Sequence, residues 1–438
     1  MRQIQQKRLP VLAVCILLAA ALSGCSVREA PPLALAFLPE RGEFLASSGE
    51  RLSFHQALAL AAGAEYVVLG EGHRNACDHD IQQRVARGLA EAGAEPGEPG
   101  PAIGLEMVPA NLQPVLDRFN AGEIAPEDLD RELDWNATWG YPYALFEPLF
   151  ALARERSLPV GALNVPRETV RRLGEGGLES LTPEDREYVA SSIIGQLPET
   201  MEALRAVFAM HEGLEPSEER FERFVLVQSA WESTMAERAV ALRKRTGRPV
   251  LVLAGAGHVE GGDGIPRRIR LLDPGARVVA FVPLRDVYDF APGGQAAFYC
   301  PADYASRMGM TLEVRQGRVT VTGVTPAGRA AGAGLRPGDV LLSAQGVEVR
   351  GLMDLHRAGK LAHDTNRSLV FEVERSGASV GVAGVVRVRV DMGSLGASES
   401  SGGMDSMNGR SERGNTAGPA GGEAEPMQSK TPTEENPS

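Results

Sequence analysis

Two stretches of the chain end alike. Tyr66-Val67-Val68-Leu69-Gly70-Glu71-Gly72-His73 and Val250-Leu251-Val252-Leu253-Ala254-Gly255-Ala256-Gly257-His258 are each a short apolar run closed by Gly-x-Gly-His. An imidazole titrates near neutral pH, so it can bind, donate or accept a proton under ordinary conditions. Each apolar run reads as a buried strand, and its glycines allow a sharp turn or a close approach at the strand's end. The histidine then stands just past the carboxyl end, where open α/β sheets bind ligands. Two such ends predict that His73 and His258 face one site. A third run, Ala102 to Val108, carries Glu106 at its own carboxyl end, and Glu71 lies inside the first motif.

The stretch 135–150 adds an unusual density of rings. The chain has 13 Phe, 7 Tyr and 3 Trp, and six of these, Trp135, Trp139, Tyr141, Tyr143, Phe146 and Phe150, fall here. Such a cluster is either core or the wall of a pocket for a flat apolar ligand. The helical spacing of Leu145, Leu149 and Leu152 turns those residues inward, which leaves Trp139, Tyr141 and Tyr143 on the preceding loop within a ligand's reach. Arg167 follows a strand-like run, 158–164, and opens a helix, a position suited to clamping a carboxylate. A long helix with Phe221, Phe224, Val225, Gln228, Trp231, Glu232 and Met235 on its inner face carries Gln228 and Glu232 toward a cavity or its rim. His211 reads as a loop residue, and Arg267, Arg268 and Arg270 as a basic helix start.

Positioning these residues needs strands alternating with helices. Helical spacing of Ile81, Val85, Leu89 and Ala92, and of Leu112, Val115, Leu116 and Phe119, places helices after the first and second strands. Thr182 with Pro183 reads as a capped helix start. From about 51 to 290 the alternation predicts an α/β fold with a mostly parallel sheet flanked by helices. Residues 291–305 read as a linker. Residues 306–392 change character, to short strands and many glycines, and 393–438 are too poor in apolar residues to bury a core. The net charge of -12 and pI of about 5.3 argue against nucleic acid as a partner.

Residues 1–24 have a charged start, an apolar stretch too short to span a membrane, and the ending Leu22-Ser23-Gly24 before Cys25. This resembles a bacterial lipoprotein signal. The resemblance implies lipidation of Cys25, a tether over 25–50, and anchoring in the outer membrane, facing the periplasm or the cell surface. In that oxidising setting Cys77 and Cys300 are free to pair, although one pair makes no framework.

Two further resemblances follow from the motifs. Ala330-Ala331-Gly332-Ala333-Gly334-Leu335-Arg336-Pro337-Gly338-Asp339 is similar to bacterial PDZ domains. That implies a small β-barrel-like domain in which Met308, Gly309 and Met310 hold the terminal carboxylate of a peptide added as a strand. Gly70-Glu71-Gly72-His73, Gly104-Leu105-Glu106-Met107, Trp139-Gly140-Tyr141-Pro142-Tyr143, Leu163-Asn164-Val165-Pro166-Arg167 and Gly255-Ala256-Gly257-His258 together resemble the ChaN-type haem-binding lipoproteins of the Tiki/TraB/erythromycin-esterase-like superfamily. The resemblance implies haem or iron uptake, and a homodimer with the cofactor at its interface is among its implications. It also implies haem iron ligated by tyrosine with histidine nearby, and so His73, Trp139, Tyr141, Tyr143, Arg167 and His258 as cofactor-binding residues. The chain departs from the pattern at Phe146, where relatives often carry tyrosine. The Tiki branch implies an alternative, a hydrolase in which His73, His258 and Glu106 hold a divalent metal and Glu71 or Glu106 serves as ligand or base. Erythromycin-esterase-like relatives imply a third route, with histidine activating water and no metal.

Overall fold

A computed structural model describes residue 35 and residues 37–92, 100–212, 217–285, 296–306, 308–315, 317–365, 368–376 and 383–391. The signal segment, Cys25 and the tail 393–438 lie outside the described residues. Eight strands form the first sheet: β1 (Phe44–Ala46), β2 (Arg51–Leu52), β3 (Tyr66–Glu71), β4 (Ala102–Pro109), β5 (Val160–Asn164), β6 (Val250–Gly255), β7 (Val278–Leu284) and β8 (Ala296–Tyr299), in the order β2-β1-β8-β7-β3-β6-β4-β5. The six strands from β8 to β5 are parallel, and β1 and β2 close the edge antiparallel.

Side-chain alternation along these strands builds two cores from one sheet. Val67, Leu69, Ile103, Leu105, Leu251, Leu253 and Phe281 point to one face, against helices α1 (Phe54–Ala61), α2 (Ala76–Ala92), α3 (Gln113–Asn120) and α4 (Glu147–Glu155). Tyr66, Val68, Ala102, Val252 and Ala254 point to the other, against α7 (Glu218–Thr246) and α8 (Ile265–Leu272). Between them in sequence lie α5 (Arg167–Gly176) and α6 (Met201–Glu212). Helix starts follow local chemistry: Ser53 and Gln56 form a capping box ahead of α1, and Thr182 caps the short helix that begins at Pro183.

The sheet reaches beyond the 51–290 expectation at both ends. Phe44–Ala46, inside the expected tether, and Ala296–Tyr299, inside the expected linker, pair with each other and are buried or nearly so. Both runs are short, so neither shows enough period to be read alone. Cys77 of α2 and Cys300, just past β8, form a disulfide. His211 is in the last turn of α6 rather than in a loop.

The second sheet is antiparallel, in the order β15-β14-β12-β11-β10-β9, with β13 paired to β12. Its strands are β9 (Ala302–Ala305), β10 (Met310–Arg315), β11 (Arg318–Val324), β12 (Val340–Ala344), β13 (Val347–Glu348), β14 (Leu369–Ser376) and β15 (Ala383–Val390), and α9 (Leu352–Asp364) packs against it. Leu312, Val319, Val321, Leu341, Phe371, Val373, Ala358 and Ala362 fill its core. Among the described residues no helix is long and apolar enough to cross a membrane.

Candidate functional site

The strand order β3-β6-β4 sets the site. Glu71 ends β3 beside Gly255, its register partner at the end of β6, and Glu106 lies in β4 on the far side of β6. Glu71 falls on the α2 face of the sheet, in phase with Val67 and Leu69, whereas Glu106 is in phase with Ala102 on the α7 face. Gly255 stands between them. A Cβ there would lie 2.8 Å from His73 Cε1 and 3.5 Å from Glu106 Oε2, so glycine leaves the room that the imidazole occupies at the strand end. The Gly255 N–H donates a short hydrogen bond to Glu106 Oε2.

Each histidine is braced by its own buried carboxylate. His73 Nδ1 is 2.8 Å from Glu71 Oε1, and Gln82 Nε2 donates to Glu71 Oε2 at 2.5 Å. His79, buried on α2, bridges Gln82 Oε1 at 3.1 Å and the His73 carbonyl at 3.2 Å. His258 Nδ1 is 3.2 Å from Glu232 Oε1, and Glu232 Oε2 is held by Arg268 Nη1 at 2.9 Å and Gln196 Nε2 at 2.8 Å. His258 Nε2 then stands 3.6 Å from Glu106 Oε1. The result is a row, Glu71–His73, Glu106, His258–Glu232, with a lone carboxylate between two braced imidazoles.

Burial pushes both imidazoles toward lower pKa, but the carboxylates outweigh it. His73 is raised above the ordinary histidine range by its hydrogen bond to Glu71 and by the charges of Glu106 and Glu71. His258 is raised by the charge of Glu106 and by its bond to Glu232 and that residue's charge. The row thus holds both imidazoles to their protons more firmly than water would.

An aromatic rim adjoins His73. The rings of Trp139 and Tyr141 lie 4.7 and 5.0 Å from the imidazole, and Arg74 stands 5.1 Å over the Tyr141 ring. Gly140, with φ of +79°, turns the chain so that its two neighbours flank the same imidazole. Trp139 Nε1 is buried with no hydrogen-bond partner among the described residues, and the Tyr141 ring lies 5.4 Å from the Trp139 ring. Burial raises the Tyr141 phenol pKa, so it is protonated when free.

The structure separates the two tyrosines that the sequence left equivalent. Tyr143 is not on the rim: its hydroxyl donates to the Pro126 carbonyl, and its ring packs on Trp135 and Phe150 within the core. Phe146 is also inside, 1% exposed and 4.5 Å from the His79 ring. Arg167 is exposed at the start of α5, next to the carboxyl end of β5. Gln228 is partly buried on α7, and Glu232 on the same helix reaches the site. The sequence left His79, Gln82 and Gln196 unmarked and placed Arg268 only in a basic helix start, whereas its side chain holds Glu232. The available signal was three polar residues, Asp78, His79 and Gln82, on the face of α2 that Ile81 and Val85 mark as buried. Among the described residues no group of three or more His, Cys, Asp or Glu side chains is arranged to hold a metal ion, so the metal-centre alternative finds no support.

In the second domain Met308 and Gly309 form the turn that leads into β10, which begins at Met310.

Residues 57–269 match the family described as haem-binding uptake, Tiki superfamily, ChaN, and residues 306–383 match the PDZ domain family. The chain carries a ChaN-type domain of the Tiki superfamily followed by a PDZ domain. Among solved structures, ChaN of Campylobacter jejuni, which binds haem cofacially, is similar at 19% identity and a TM-score of 0.49, over 59% of this chain and 96% of that one. The erythromycin esterase EreC is similar at 16% identity and a TM-score of 0.34, over 61% of this chain and 85% of that one. The type III effector HopBA1 is similar at 12% and 0.32, over 56% and 91%. A comparison with curated proteins gives no match. The His73 to His258 row and its aromatic rim thus belong to the ChaN-type domain.

Proposed function

We propose that the ChaN-type domain binds haem on the rim formed by Tyr141, Trp139, His73 and Arg74, as part of haem or iron uptake by a lipoprotein anchored through Cys25 in the outer membrane. The PDZ domain would recruit the C-terminus of a partner protein. The observation that carries this reading is the Tyr141 phenol, half-buried, packed on the braced imidazole of His73 and beside Trp139. These residues fit the group: rings for the porphyrin face, a cation within reach of a propionate, an oxygen donor, and an orphaned indole N–H. Bound haem would supply a ferric iron, for which an anionic phenolate is a suitably hard ligand. Tyr141 would give up its proton to serve, His73 would stand by as second donor or proton acceptor, and Trp139 would exclude water.

Titrating ferric haem into the mature chain tests this. A saturable Soret shift is expected, with affinity falling at least about tenfold in Tyr141→Phe and little changed in Tyr143→Phe. Absence of a shift, or equal loss in both variants, would reject Tyr141 as the ligand.

A second reading has its own observation. Glu106 lies between two imidazoles, each braced by its own carboxylate, an arrangement suited to activating water and stabilising a developing oxyanion without metal. Hydrolysis of p-nitrophenyl esters that is abolished by Glu106→Gln and kept by Tyr141→Phe would favour it. No turnover by the wild type would remove it.

A further inference from the structure

We infer that the PDZ domain is closed by its own chain: residues 302–306 occupy the peptide edge as an internal ligand and must leave before a partner's C-terminus can bind. This rests on the peptide-capture reading of the PDZ domain given above. Strand β10 is the edge to which a peptide would add, since its other side is taken by β11. That edge is already paired. β9 runs antiparallel to β10 with Ala305 opposite Thr311, Tyr304 opposite Leu312, Asp303 opposite Glu313 and Ala302 opposite Val314. Its carboxyl end therefore lies at the start of β10, as the carboxyl end of a captured peptide would.

The loop that would hold a terminal carboxylate is filled as well. The N–H groups of Met308 and Met310 both donate to Ser306 Oγ at 3.3 Å, and that of Gly309 donates to the Ser306 carbonyl at 2.9 Å. One serine thus presents two oxygens to three N–H groups, as a carboxylate would. Ser306 N–H also donates to the Met310 carbonyl at 2.8 Å. Hydrogen-bonded pairs alternate in an antiparallel ladder, so Tyr304 with Leu312 and Ala302 with Val314 are the next such pairs.

Two features make this contact a device rather than part of the core. Asp303, Tyr304 and Ala305 are exposed, Tyr304 at 46%, so little apolar burial holds β9 in place. Yet β9 cannot drift away, because Cys300 is disulfide-bonded to Cys77 and the Pro301 carbonyl accepts a hydrogen bond from Asn75 Nδ2 at 2.9 Å. A weakly held strand at high local concentration competes with free peptide and lowers its apparent affinity by the fraction of chains that are open.

The test uses the full mature chain and a labelled synthetic peptide, Ala-Asp-Tyr-Ala-Ser, with a free carboxylate, followed by fluorescence anisotropy. Tyr304→Pro removes a ladder donor, and Ser306→Ala frees two loop N–H groups without changing the backbone. Both variants should bind the peptide at least about tenfold more tightly than the wild type, and the amidated peptide should not bind. Hydrogen exchange should show the Tyr304 amide protected in the wild type, and Tyr304→Pro should expose amides on the outer edge of β10. Equal affinity in all three proteins, or an unprotected Tyr304 amide in the wild type, would overturn the closure and leave peptide capture standing. An exposed β10 edge that still binds no peptide would overturn peptide capture, and the closure with it.

Discussion

Arg268 is the side chain on which the second histidine depends, and replacing it with methionine should be among the most damaging single changes in the first domain. Its guanidinium is fully buried. It pairs with Glu232 Oε2 at 2.9 Å and donates to the carbonyls of Asp263 at 3.0 Å, Gly264 at 3.1 Å and Ile194 at 2.9 Å. Methionine restores most of the apolar volume but none of these bonds. Glu232, 4% exposed, would then keep only Gln196 and His258 as partners. Removing one member of a buried ion pair costs about 3–5 kcal/mol, much of it the desolvation of the charge left behind. In a domain of this size that lowers the melting temperature by roughly 10 °C or more. The assay is thermal and urea unfolding of Arg268→Met, Glu232→Gln and the double variant. If the cost comes from an orphaned carboxylate, the double variant recovers more than half of what the single Arg268→Met loses. A single variant within about 1 kcal/mol of wild type, or a double variant no better than the single, would refute the argument.

Three other outcomes follow from the same geometry. Gly255→Ala places a Cβ 2.8 Å from His73 Cε1; the ring must move, so haem binding or ester hydrolysis should fall at least about tenfold while unfolding shifts by no more than about 1–3 kcal/mol. Cys77→Ser opens a loop spanning 223 residues, and the chain-entropy estimate gives a loss of about 5 kcal/mol, measurable as a lower urea midpoint that added reductant imposes equally on the wild type. The raised pKa values of His73 and His258 stabilise the fold below the unfolded histidine value of 6.5, and that contribution is lost as pH rises through the folded values. Urea midpoints should therefore fall as the pH is raised above about 6.5, and Glu106→Gln, which removes a negative charge that acts on both imidazoles, should flatten the fall.

Much of this domain was legible because its strands are long and their ends chemically marked. The alternation in 66–71, 102–109 and 250–255 gives both cores, and the Gly-x-Gly-His endings give the two imidazoles, which the strand order brings to the same end of the sheet. What supports them was not legible. Arg268 looks like one of three basic residues opening a helix, because its burial depends on Glu232 and on the 194–195 backbone, both distant in sequence. Tyr141 and Tyr143 are equivalent by spacing, and only the Pro126 carbonyl, 17 residues away, takes one of them out of play. β8 and β9 are four residues each and follow a Pro/Gly-rich stretch, so neither carries a period that could be read.

The departure at position 146 shows how far a motif can mislead about a ligand. A tyrosine there invites the reading that its phenol reaches the rim and that its loss here weakens the site. Phe146 instead faces inward, its ring 4.5 Å from His79 and 5.0 Å from Trp135. A hydroxyl at this buried position would need a polar partner, and burying one without a partner costs about 1–3 kcal/mol. His79 already spends its two nitrogens on Gln82 and the His73 carbonyl. Phenylalanine is therefore the residue that this brace accommodates without a further acceptor. Its apolar ring packs edge-on against His79, which bonds Gln82, the donor to Glu71, so the ring supports the brace through His79. Within this fold the substitution bears on the support of the imidazole and leaves Tyr141 as the phenol on the rim.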